Sequence, residues 1–196
     1  MVLLVAAGCA GNVEKSAPHP LPPSSYGPAV AFTLPDVAGG SYSMSAKPGR
    51  YIVLSFVSAT CRDACPQIEA ILKQAAQLLQ QRGELGHNVE FVTVEIDPAH
   101  DSLNTVRALR ARLWPHPGWA FLRGTPRQSQ PILQTYDEMP VPNSSGPDIA
   151  HPTFVYVIDP VGHTNILGLN AAISSAKLTA KNVARLVRRR GSGHSS

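Results

Sequence analysis

The most telling shortage in this sequence is cysteine. There are three, Cys9, Cys61 and Cys65, in 196 residues. A closed structural zinc site draws on four ligands, commonly two closely spaced cysteine pairs. Only one such pair exists here, so that class of site is not expected. Long hydrophobic runs are also missing. Residues 1 to 8 are apolar but fall well short of the ~20 that span a bilayer, and no other run is long enough. No internal repeat is visible. Acids are missing from residue 177 onward, where six basic residues stand (Lys177, Lys181, Arg185, Arg188, Arg189, Arg190). Taking those six from the net +4 leaves −2 for the rest. The pI near 9.2 therefore describes a C-terminal helix and tail, where cations suit the helix dipole. Nucleic acid is not an expected partner, because a phosphate footprint needs basic residues across a folded face.

What is present divides the chain into segments. Residues 1 to 9 read MVLLVAAGC, and small residues before a cysteine resemble a bacterial lipoprotein signal. The positive n-region of a signal peptide is absent, so the expectation is a start codon inside a longer signal, with Cys9 as lipid anchor. Residues 10 to 27 are proline-rich and read as an extended tether. Residues 28 to 190 read as one domain, and 191 to 196 as a tail. The expected place is a bacterial cell envelope, outside the cytoplasm and anchored to the membrane through the N-terminus. In such a compartment a cysteine pair is oxidised unless something reduces it.

Within the domain, AVAFTLP and GSYSMS flank Gly39-Gly40 as a hairpin would. YIVLSFV (51–57) is a continuous apolar run, as in a strand buried on both faces. Ile68, Ile71, Leu72, Ala75, Leu78 and Leu79 recur at helical spacing up to Gly83. NVEFVTVEI (88–96) reads as a strand. Asp101 or Ser102 can cap a second helix carrying Leu103, Val106, Leu109 and Leu113. WAFLRG (119–124) is a short strand, and Thr125-Pro126 opens a third helix. A Pro/Ser/Gly loop (138–150) leads to the strand TFVYVID, a turn at 160–163, TNILGL, and a last helix near 178–190. Alternating strands and helices predict an α/β sheet with right-handed crossovers. A cysteine pair at the end of the first buried strand, opening a helix, predicts a thioredoxin-like fold with an N-terminal hairpin extension. Chemistry collects at that edge of an α/β sheet.

Cys61 should lie in the loop and Cys65 in the first helical turn, followed by Pro66. Helix N-terminal amides lower thiol pKa values, so both sulfurs are expected to be thiolate-prone and partly exposed. The CxxxC spacing permits a disulfide, with different geometry from CxxC. Two thiolates on one edge also suit a soft metal. Histidine is the natural third ligand. Of seven, His151 stands out, because it immediately precedes a strand after a long loop that should return beside the cysteine turn.

These residues resemble the Sco (SenC) family of copper-binding, thioredoxin-like proteins. Cys61-Arg-Asp-Ala-Cys65-Pro66 is similar to its CxxxCP, with an acid, Asp63, at the third position. Ile96-Asp97-Pro98 followed by Asp101 resembles its IDPxxD stretch. His151, 86 residues after Cys65, resembles its histidine-plus-strand segment. The resemblance covers about residues 28 to 190. It implies a Cu(I)/Cu(II) site made by Cys61, Cys65 and His151. It also implies a role, as a metallochaperone and not an enzyme in the strict sense, in assembling the dinuclear copper centre of cytochrome c oxidase subunit II. A thioredoxin-like protein would supply reducing equivalents, and a monomer is expected. Asp63 and Asp97 are candidates for supporting the ligands or docking the partner.

One departure counts. Where the family commonly has Ser or Thr after the histidine, this chain has Pro152. HPTFVYVID also resembles the Pro-Thr turn of thioredoxins and TlpA-like reductases, in which a cis proline faces the redox cysteines. A cis Pro152 is one expectation, and an extracytoplasmic thiol-disulfide reductase using Cys61 and Cys65 is the alternative reading. A thiol peroxidase fits least, because that chemistry needs a TxxC setting and here Thr60 directly precedes Cys61.

Overall fold

The computed structural model describes residues 25–62, 65–142, 149–150 and 154–167. Its elements run β1 (Ser25–Pro28), β2 (Phe32–Pro35), β3 (Ser41–Met44), β4 (Tyr51–Val57), α1 (Cys65–Gln81), β5 (Val89–Glu95), α2 (Leu103–Leu113), β6 (Trp119–Leu122) and α3 (Pro126–Thr135). The short pair β7 (Val141–Pro142) and β8 (Ile149–Ala150) follows, then β9 (Val155–Ile158) and β10 (His163–Leu167). Six strands form one sheet in the order β1-β10-β9-β4-β5-β6. β4, β5 and β6 run parallel. β9 lies antiparallel to β4, and β10 antiparallel to β9.

Every residue of β4 is buried, as its continuous apolar run predicted, and so is every residue of β5, because the sheet is covered on both sides. Val53, Val57, Phe91 and Trp119 face one core with Ile68, Leu72 and Leu79 of α1 and Val106, Leu109 and Leu113 of α2. Leu54, Phe56, Val92 and Leu122 face the other, with Leu34 and Met44 of the hairpin and Ile132, Leu133 and Tyr136 at α3. Each fully buried aliphatic side chain contributes about 1.5–3 kcal/mol, so both layers are needed to hold the sheet against its helices. The helix starts follow from capping chemistry. Ser102, rather than Asp101, caps α2 by accepting from Thr105 N. Thr125 and Gln128 form a reciprocal capping box with Pro126 inside the first turn of α3.

The hairpin β2-β3 forms where the sequence predicts it, turning at Gly39 and Gly40 with positive φ, and makes its own two-stranded sheet. Two details differ from the sequence pattern. The last residues of the stretch read as a tether form β1, which pairs antiparallel with β10, so backbone pairing begins before the apolar pattern does. The loop 138–150 contains the short β7-β8 pair. Cys9, the tether up to residue 24 and the predicted C-terminal helix lie outside the described residues. Among the described residues no helix is long and apolar enough to cross a membrane.

Candidate metal centre

β4 runs out of apolar residues at Val57, and the chain leaves the sheet through Ser58–Arg62 before α1 begins at Cys65. That loop is tied down. Asp101 is 1% exposed, and its Oδ2 accepts from Ser58 Oγ at 3.1 Å and from Ala59 N at 2.6 Å. Ser58 Oγ also meets Thr60 Oγ1 at 3.1 Å, and Cys61 N donates to Ser58 O at 3.3 Å. The cysteine loop is thereby anchored to the turn following β5.

That turn is itself braced. His100 N and Asp101 N donate to Asp97 O at 3.1 and 2.9 Å. Arg123, just past β6, donates from Nη2 to Pro98 O at 2.9 Å and to Asp101 O at 2.7 Å. The ends of β4, β5 and β6 are clasped into one rigid rim. A rim of this kind can hold two reactive sulfurs in fixed register.

Cys61 and Cys65 are joined in a disulfide, with Cα atoms 6.0 Å apart. The two sulfurs differ in access. Cys61 is partly exposed, whereas Cys65 is fully buried, which corrects the expectation of two partly exposed sulfurs. Cys65, Ile68, Glu69 and Leu72 are all buried at spacings of three, four and seven, so they share the inward stripe of α1. An incoming thiolate can therefore reach Cys61 but not Cys65.

Asp97 sits two residues past the end of β5, one strand from the cysteine loop. Its carboxylate takes a hydrogen-bonding contact from His100 Nδ1 at 2.8 Å, and its backbone N donates to Glu95 Oε1. Asp63, His151 and Pro152 lie outside the described residues, as does Cys9. Among the described residues no group of three His, Cys, Asp or Glu side chains could hold a metal; the cysteines are the two of the expected three ligands that can be located.

Sequence reasoning passed over several charged groups at this edge. Glu95 is 1% exposed, and its Oε2 finds no partner among the described residues. Burial, with the charge of Asp101 adding to it, pushes its carboxyl up to about 8 against the pull of the Asp97 amide and Arg123. Glu69, one turn beyond Cys65, is also buried. Burial raises its pKa against the opposing hydrogen bond from Arg112, whose Nη2 lies 3.1 Å from Glu69 Oε2. The available signal was an acid on the apolar stripe of α1. Lys73 and Arg112 then close a cleft beside Cys61.

The architecture and the site define the class: a thioredoxin-like domain with its cysteine pair at the strand-to-helix turn. The sequence narrows it. It matches SCO1/SenC over residues 24–188, and the chain belongs to that family. Among solved structures, it is similar to a SCO1/SenC family lipoprotein from Bacillus anthracis at 18% identity and TM-score 0.68, over 83% of this chain and 94% of that one. It is similar to Arabidopsis thaliana ScoI with copper bound at 19% identity and TM-score 0.64, over 82% and 96%. BsSco, described as a cytochrome c oxidase assembly protein of the Sco family with a disulfide switch, aligns at 18% identity and TM-score 0.62, over 85% and 94%. No curated protein matches the sequence.

Proposed function

We propose that the protein is a copper-binding assembly factor. Its reduced pair, Cys61 and Cys65, completed by His151, takes up copper for the dinuclear centre of cytochrome c oxidase subunit II. The observation that carries this reading is the cysteine pair, held on one braced rim of a fold shared with a copper-bound relative. The donor set fits: thiolates favour Cu(I), and an imidazole beside them accommodates Cu(II). β9 begins beside the C-terminal end of β4, with Val155 opposite Ser55. His151 precedes Val155 by four residues in the sequence. Copper needs deprotonated, reduced sulfurs, so binding weakens at low pH and is lost when the disulfide forms. A thioredoxin-like reductant is the natural supplier of the reduced state. Asp63 and Asp97 are proposed to help dock the partner, with the chain in the cell envelope anchored through Cys9.

The test is a copper titration of the full reduced chain, wild type against His151→Ala. One tightly bound copper per chain is expected, with a sulfur-to-Cu(II) charge-transfer band lost or much weakened in the variant. Weak binding in both proteins overturns the reading. The disulfide, with its single accessible sulfur, favours a second reading as a thiol-disulfide reductase. In that case turnover of a protein disulfide survives His151→Ala and is abolished by Cys61→Ser.

A further inference from the structure

Beside the disulfide lies an open cleft of about 650 Å3, lined by Cys61 and, among others, by Arg62, Glu69, Lys73 and Arg112. Its charge is lopsided. Three cations face one acid among the described lining residues, on a chain that is otherwise net negative outside its C-terminal segment. Two of the cations are also held in place. Arg112 Nη2 is fixed by the buried carboxylate of Glu69 at 3.1 Å, while the Arg112 side chain remains 62% exposed. Lys73 Nζ donates to the backbone carbonyl of Arg112 at 3.3 Å. Preorganised, solvent-facing cations of this kind attract an anionic partner without first paying to order themselves.

The cleft has a length as well as a sign. Lys73 stands eight residues beyond Cys65 on α1, about 12 Å along the helix axis at 1.5 Å per residue. An extended peptide covers that distance in about three to four residues. A peptide strand entering at Cys61 can follow the cleft as far as Lys73, a length that a small thiol does not fill.

We propose that this cleft docks an acidic, cysteine-bearing segment of a partner protein, with carboxylates three to four positions from the cysteine. It rests on the reading that the Cys61–Cys65 pair exchanges with partner thiols. The partner's thiolate attacks Cys61 Sγ, forming a mixed disulfide, and Cys65 leaves as a thiolate. A second thiolate of the partner attacks its own sulfur in the mixed disulfide and releases Cys61. Two electrons pass from the partner's dithiol to the cysteine pair, and the partner is left with a disulfide. The reverse sequence reduces a partner disulfide through the same contacts.

The test uses the full oxidised chain and synthetic peptides that carry one cysteine, with two Asp residues or two Lys residues three and four positions away. The rate of mixed-disulfide formation, trapped by alkylation and read by mass spectrometry, is compared at low and high salt. The acidic peptide should react about 10-fold faster than the basic one at low ionic strength. The preference should shrink to about 2-fold or less near 1 M salt. Lys73→Glu should cut the acidic-to-basic ratio several-fold, and Lys73→Arg should preserve it. Taking the ratio removes any change in the intrinsic reactivity of Cys61. A wild-type ratio near one overturns the cleft, whatever the copper titration returns. So does a ratio unchanged by Lys73→Glu. An equal preference for 2-mercaptoethanesulfonate over cysteamine would overturn it too, because charge beside the sulfur alone would then be at work.

Discussion

Two glutamates on one strand, Glu90 and Glu95, show how the two ends of the sheet differ. Both belong to β5 and both are buried. Glu90 lies at the end remote from the cysteines, where it meets Tyr42, Lys47 and Arg50. Burial alone would raise its pKa, but the hydrogen bonds from Lys47, Tyr42 and Arg50 outweigh it and hold the carboxyl below its usual range. Glu95 lies at the cysteine end with one backbone donor, and one oxygen has no partner among the described residues. Its carboxyl is pushed up to about 8. The far end is a satisfied ion cluster that fastens the hairpin to the sheet. The near end buries an acid with one oxygen unpartnered among the described residues, as sites that carry chemistry often do.

The widest separation between the two ends should appear as pH dependence at Glu95. An unfolded glutamate loses its proton near pH ~4.3, while the folded one keeps it to about 8. Between those values the folded state binds the extra proton, so stability falls as pH rises and levels off above the upper value. The loss is on the order of several kcal/mol, since each tenfold difference in proton affinity between the folded and unfolded states corresponds to about 1.4 kcal/mol. Glu95→Gln keeps the acceptor for Asp97 N and removes the titration. Urea midpoints at pH 5, 7 and 9 should therefore fall in the wild type and stay nearly flat in the variant. Parallel curves would mean that Glu95 ionises normally.

A smaller effect is expected at Asp101, which fastens the near end. Asp101→Ala leaves Ser58 Oγ and Ala59 N without the carboxylate that binds them. Stranding buried donors in this way costs about 2–3 kcal/mol. The cysteine loop should loosen as well. Denaturant unfolding measures the first effect, and hydrogen exchange at Ala59 the second. An unchanged exchange rate at Ala59 would show that the loop is held by something other than Asp101.

Much of this molecule is written locally. The apolar run of β4, the helical spacing from Ile68 to Leu79, the Ser102 cap and the Thr125-Pro126 helix start are short-range signals, and each forms where its chemistry predicts. The cysteine pair was legible for the same reason, because a strand end and a helix start are only a few residues apart. Long-range ties were not. Asp101 reads as a helix cap in sequence, yet its side chain crosses 42 residues to Ala59. Glu95 reads as the polar half of an alternating strand, but the sheet is covered on both faces and no polar half exists. Cys65 turns inward because the helical stripe it begins continues through Ile68 and Leu72. The expectations for His151, Pro152, Asp63 and Cys9 lie outside the described residues.

The smallest effect belongs to the far end, and its sign is the opposite of that at Glu95. Glu90's carboxyl is held below its usual range, so the stability it adds is complete above the unfolded pKa. It is lost as pH falls through the folded value. Its cationic partners are 29% and 40% exposed, so water recovers much of what Glu90→Gln gives up. A loss of about 1 kcal/mol is expected at pH 7. That loss should shrink in high salt and disappear at a pH low enough to protonate Glu90 in the folded protein. Glu95→Gln behaves otherwise: its gain over the wild type grows as pH rises. Two substitutions of one residue type on one strand should therefore give stability differences that move in opposite directions with pH. If both moved the same way, the contrast between a satisfied and an unsatisfied end of the sheet would be lost. The buried acid at the cysteine end of the sheet would then be one more structural charge.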